Sequence, residues 1–148
     1  LLDILDTEIS PELVPGKTGS EPHQKTEKTV GPYELQDFNN FYITRFGYSP
    51  TKIAFLAFCV WRDKNKGLWP DIPLAKRKSY TLKEIKKWLG VYLYKFFKTS
   101  QYKRSCIPNG PKVGSGGSLS PRGDWRTPSA SEATVWMENW KKIPEKEK

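Results

Sequence analysis

Apolar residues along this chain recur at helical rather than alternating spacing. Over residues 32–46, Leu35, Phe38, Phe41 and Tyr42 share one stripe, which predicts a helix opened by Pro32 and stopped by Gly47. Ser49 and Pro50 restart the chain as cap and first turn, and residues 53–61 are apolar nearly all round. That run predicts a helix buried on most faces, with Cys59 as a buried thiol. Residues 32–62 therefore read as two helices. Thr81-Leu82-Lys83-Glu84 is a capping box, and it opens a basic amphipathic helix over 81–99. Leu82, Ile85, Leu89, Tyr92 and Phe96 form its apolar stripe; Lys83, Lys86, Lys87 and Lys98 lie opposite. A terminal helix follows over 131–141, with Val135, Trp136 and Trp140 inward. No hairpin or alternating strand is evident, so the fold class is mainly α.

The segments between these helices differ in kind. Residues 15–31 are polar and aperiodic, a mobile loop by composition. Residues 101–128 form a Gly/Pro-rich loop rich in Lys and Arg and punctuated by Tyr102 and Trp125. A loop of that length is either disordered or functional. Glycine amides beside fixed cations suit an anion such as a phosphate. Tyr102-Lys103-Arg104 follows the basic helix, where cations either complement the negative end of its dipole or bind phosphate or carboxylate. Arg122-Gly123-Asp124-Trp125-Arg126 reads either as an ion pair that folds the loop or as the rim of a site. Ser115-Gly116-Gly117-Ser118 imitates a phosphate-gripping loop but lacks the strand before it and the helix after it.

Charge sharpens the picture. The 148 residues carry a net +9, and the segment 76–104, with ten Lys and Arg and one Glu, accounts for all of it. Such a patch attracts anions: nucleotide phosphates, nucleic acid or an acidic surface. A stand-alone nucleic-acid-binding module is the alternative reading. It is weakened because the aromatics of 88–97 follow the apolar stripe, where a binding platform needs them exposed. Cys59, Cys106 and the lone His23 offer no metal-ligand spacing, and a reducing, cytoplasmic setting is expected. No run reaches the ~20 apolar residues of a membrane span. The chain begins without Met and in mid-pattern, as a piece of something longer would.

Several runs, in order, carry a resemblance: Thr7-Glu8-Ile9-Ser10-Pro11-Glu12-Leu13, Gly31-Pro32-Tyr33-Glu34-Leu35-Gln36-Asp37-Phe38, Arg45-Phe46-Gly47-Tyr48-Ser49-Pro50-Thr51-Lys52-Ile53-Ala54, Gln101-Tyr102-Lys103-Arg104-Ser105, Pro108-Asn109-Gly110-Pro111-Lys112-Val113 and Leu119-Ser120-Pro121-Arg122-Gly123-Asp124-Trp125-Arg126. Together they resemble the C-terminal part of the synthetase domain of bacterial glutamine-dependent NAD synthetases. The resemblance implies the helical end of an α/β ATP-pyrophosphatase-type domain, adenine nucleotide alpha hydrolase-like and Rossmann-like. It implies a parent ligase that makes NAD from deamido-NAD, ATP with Mg²⁺, and ammonia released from glutamine by a separate glutaminase domain. It further implies a homo-oligomer built from synthetase dimers, with neither nucleic acid nor membrane as partner. Lys103 then matches a lysine that contacts deamido-NAD, with Arg104 beside it, and Ser10 aligns with a residue near ATP. Asp124, with Arg122 and Arg126, falls near the ammonia path or domain interface. No residue here matches a catalytic group or metal ligand of the family. The pyrophosphate loop and the glutaminase Glu, Lys and Cys are not in this stretch, which is expected to be inactive alone.

Overall fold

The computed structural model describes residues 26–67, 69–108, 111, 124–128 and 130–145. Among them the helices are α1 (Thr26–Val30), α2 (Tyr33–Phe46), α3 (Pro50–Trp61), α4 (Leu82–Leu93), α5 (Gln101–Cys106) and α6 (Thr134–Lys141). A 3₁₀ turn at Leu74–Lys76 and a π-helical segment at Tyr94–Thr99 complete the order, and no strand occurs among the described residues.

Local chemistry sets these boundaries. The α2 C-terminus closes on Gly47 in the left-handed region (φ 62°), whose amide donates to the Ile43 carbonyl at 2.9 Å. At the start of α4 the capping box is complete. Thr81 Oγ1 accepts from the Glu84 amide at 3.3 Å, and the Thr81 amide donates to Glu84 Oε2 at 2.8 Å. Helix α3 has no side-chain cap from Ser49. Its Thr51 amide instead donates to Asn139 Oδ1 on α6 at 2.9 Å, a cap supplied across the fold.

Helix α4 is the axis of the packing. Leu89 and Leu93 are fully buried and Ile85 nearly so, each worth about 1.5–3 kcal/mol of apolar burial. The helix packs on α1, α2, α3 and α6. Tyr92 carries the same contact outward, its hydroxyl donating to Asn40 Oδ1 of α2 at 2.8 Å. Beyond Leu93 the ladder widens: the Ser100 amide donates to the Lys95 carbonyl, five residues back, at 2.9 Å. This wider turn lets the adjacent Phe96 and Phe97 both turn inward. Phe97 stacks on Trp136 of α6 (4.4 Å, 13°).

Several expectations are corrected. The end of the expected loop 15–31 is helical, because the Gly31 amide donates to the Glu27 carbonyl at 2.8 Å and closes α1. The start of the expected loop 101–128 is helix α5. The 81–99 helix is α-helical only to Leu93. Phe41 is half exposed, since Leu35, Asn39 and Ile43 hold the inward register of α2. Cys59 is exposed because Ile53, Ala54, Ala57 and Trp61 turn the other face of α3 inward. Val135 likewise faces outward, at 77% exposure.

Two glycines permit the approach of large rings to α4. A Cβ at Gly90 would lie 2.8 Å from the Trp140 indole, whose Nε1 donates to the Lys86 carbonyl at 2.7 Å. Gly31 (φ 95°) meets Trp88 more closely still, at 2.5 Å. Gly90→Ala must separate α4 from α6, and urea unfolding should register a loss of about 1–3 kcal/mol.

Glu34 of α2 links the strand-free segment before α4 to the bundle. It accepts hydrogen bonds from Tyr80 Oη and from Lys78 Nζ, the latter at 2.9 Å. Burial alone would raise the Glu34 carboxyl, but the Tyr80 and Lys78 hydrogen bonds together hold it below its ordinary value of 4.5. Its contribution is therefore present above pH 4.5 and is lost as pH falls through the lowered value. Lys78 is raised, chiefly by its hydrogen bond to Glu34, so its contribution persists until strongly alkaline pH. Unfolding titrations between about pH 3 and pH 6 should show a shallower acid limb in Glu34→Gln than in the wild type.

Candidate ligand-binding site

The π-helical segment and α5 meet α1 and α2 around a cavity of about 540 Å³. Tyr33, Gln36 and Asp37 line one side; Lys95, Lys103 and Arg104 line the other. Gln36 is buried and fixes that first side, with Nε2 donating to the Val30 carbonyl at 2.5 Å and the Trp88 carbonyl at 3.3 Å. The Tyr33 hydroxyl is buried without a hydrogen-bond partner among the described residues. A buried unmet hydroxyl is costly, and this one stands on the cavity wall, where a ligand could satisfy it.

Adjacent cations on α5 have different surroundings. Lys103 is exposed on the cavity wall. Arg104 is 5% exposed: its Nη2 donates to the Phe96 carbonyl at 2.5 Å and its Nε to the Trp125 carbonyl at 2.9 Å. Its Cζ also stands 3.8 Å from the Phe96 ring centroid, within cation–π range. Arg104 thereby ties the segment after the glycine-rich loop to the π-helical segment. Trp125 reinforces the tie, its Nε1 donating to the Thr44 carbonyl at 3.0 Å and its ring meeting Phe96 and Phe97 edge-on.

The other sequence-derived residues divide accordingly. Asp124 and Arg126 lie exposed on either side of the anchored Trp125, and Arg126 Nη2 donates to the Ile107 carbonyl at 3.0 Å. Ser10, Arg122 and Ser115–Ser118 fall outside the described residues. Lys95, Tyr33 and Asp37 were not singled out by sequence. A lysine flanked by Tyr94 and Phe96 within an apolar run was the available signal. Cys59 and Cys106 are free thiols. Among the described residues no three His, Cys, Asp or Glu side chains converge on a metal position, and no helix is long and apolar enough to cross a membrane.

A second hollow, about 760 Å³, lies on the outer face of α4 against α6. Its exposed wall is mostly apolar, with Gly90, Val91, Tyr94, Met137 and Trp140, and lysines stand around it together with Glu84 and Glu145. Lys86 among them is committed to α6 and the tail, donating to the Ile143 carbonyl at 2.7 Å.

Arg104→Lys removes the planar fork that serves two carbonyls at once. Chemical denaturation should show a loss of about 2 kcal/mol, accompanied by faster amide exchange around Trp125.

No protein-family model matches the chain. It is 52% identical over 147 residues to the glutamine-dependent NAD(+) synthetase of Mycobacterium leprae, covering 98% of this chain and 22% of that relative. The enzymes of the same name from Mycobacterium bovis and Mycobacterium tuberculosis are 52% identical over 139 residues, which are 93% of this chain and 20% of theirs. The chain thus spans about a fifth of the length of the curated relatives it matches. Over nearly all of its own length, it is related in sequence to one segment of the glutamine-dependent NAD(+) synthetases.

Proposed function

We propose that this chain is the deamido-NAD-binding segment of a glutamine-dependent NAD synthetase. The parent reaction is ATP-dependent amidation: the nicotinate carboxylate of deamido-NAD is adenylated, and glutamine-derived ammonia displaces AMP to give NAD. The reading is supported most directly by Lys103, an exposed cation held on the wall of a cavity that has aromatic, amide and cationic groups. An ammonium at that position supplies a charge-assisted hydrogen bond to a carboxylate or phosphate of the ligand. The half-exposed Phe41, Phe46 and Phe55 leave apolar surface for the remaining α/β ATP-pyrophosphatase-type domain, a glutaminase domain or a second synthetase protomer. A cytoplasmic homo-oligomer follows from the same reading. Asp124 and Arg126 take the domain-interface role, on a segment fixed by Arg104 and Trp125.

Mg²⁺ accompanies ATP in such a reaction. The described residues offer no cluster of carboxylates to cradle it, so no role is assigned to this segment in holding the metal. The work of these residues is to grip and orient the dinucleotide.

Lys103→Ala in the complete polypeptide should raise the dissociation constant for deamido-NAD at least about tenfold, in a variant whose circular dichroism shows it folded. Unaltered affinity would remove Lys103 from the site.

A further inference from the structure

The cavity bearing Lys103 and the apolar hollow over α4 share Val91 and Lys95 in their walls, so the two spaces abut along the end of α4. Lys95 stands at that junction half-buried, and its side chain forms no hydrogen bond or ion pair among the described residues. Three nearby cations are engaged, Lys86 with the Ile143 carbonyl, Arg104 with two carbonyls and Lys98 with Glu132, while Lys83 and Lys87 line only the apolar hollow and not the junction. Removing a charge from water without a partner is unfavourable, so a half-buried lone ammonium gains most from an anion brought to it. Its placement also has a structural cause. The π-helical turn begins at Tyr94, and such turns cluster at functional sites.

The flanking spaces differ in character. One is mostly apolar and holds Tyr94 and Trp140, a lining that suits a planar ring. The other carries Lys103 with Tyr33 and Asp37. A dinucleotide has this division: two nucleosides joined by a central pyrophosphate. We infer that Lys95 binds the pyrophosphate of the dinucleotide, with one nucleoside in each adjoining space. This inference rests on the proposed function for the identity of the ligand, and on the geometry for the anion. Asp37 is the acid on the cavity wall; its place on α2, across from Lys95, leaves the anion to the cationic side.

Titration calorimetry of the complete polypeptide with deamido-NAD, and separately with inorganic pyrophosphate, tests it. Lys95→Gln should weaken both ligands about tenfold, whereas Lys95→Arg, which keeps the charge, should stay within about threefold of the wild type. Matching thermal midpoints establish that each variant is folded. Full wild-type affinity of Lys95→Gln for both ligands overturns the inference. If Lys103→Ala loses deamido-NAD while Lys95→Gln does not, the functional reading stands and the Lys95 assignment falls. Pyrophosphate binding that depends on Lys95, in a protein that ignores deamido-NAD, supports the anion site and overturns the functional reading. A wild type that binds neither ligand overturns both.

Discussion

Helix α4 is held against four other helices, and at two of its contacts a tryptophan ring occupies space that only glycine leaves open. Trp140 of α6 lies on Gly90 of α4, and Trp88 of α4 lies on Gly31 at the end of α1. Any side chain at either glycine forces the helices apart. Because α4 leads directly into the π-helical segment and α5, its position also sets where Lys95, Lys103 and Arg104 stand. Both hollows have α4 as a wall. The approach at Gly90 and Gly31 therefore governs the core and the candidate site together.

Polar groups pin what the apolar contacts leave adjustable. Asn139 on α6 caps α3, and Tyr92 on α4 reaches Asn40 on α2. Gln36 on α2 spans the end of α1 and α4. Each bond joins different helices, most of them distant in sequence, and is worth on the order of 1 kcal/mol when made, but more when broken in a buried place. They specify the register between helices, whereas Leu89, Leu93 and Ile85 supply the drive to associate.

Periodicity and caps made most helices legible. The Thr81/Glu84 box and the Gly47 stop are local chemistry, written in adjacent residues. Several of the failures depend on a partner far along the chain, whereas the short α1 closes on the local Gly31–Glu27 hydrogen bond. Cys59 looked buried because residues 53–61 are apolar nearly all round, yet among the described residues α3 buries the side of Ile53, Ala54, Ala57 and Trp61 and leaves Cys59 exposed. Phe41 shared a stripe with Leu35 on paper, but buried Asn39 and Ile43 fix a slightly different inward face. The π-helical turn was illegible, since its reason is the simultaneous inward packing of Phe96 and Phe97 against Trp125 and Trp136. For the candidate site, the resemblance pointed to Lys103, which the fold places on a cavity wall, whereas Lys95 stood among apolar neighbours whose own burial created its setting.

Lys103 and Arg104 are adjacent like charges with opposite surroundings, one exposed and one buried. At sequence level the pair reads as one basic motif. In the fold, the planar guanidinium of Arg104 satisfies two carbonyls from distant segments while its face covers Phe96, a task that a single ammonium does not match. Lys103, with a compact charge on a flexible stem, stays in solvent at the cavity wall. Holding Arg104 rigidly also fixes the backbone from which Lys103 projects. Exchanging the two residue types would leave a lysine at 104 without the fork that serves both carbonyls. Net charge would be unchanged, and that is why charge counting located the basic patch without distinguishing its members.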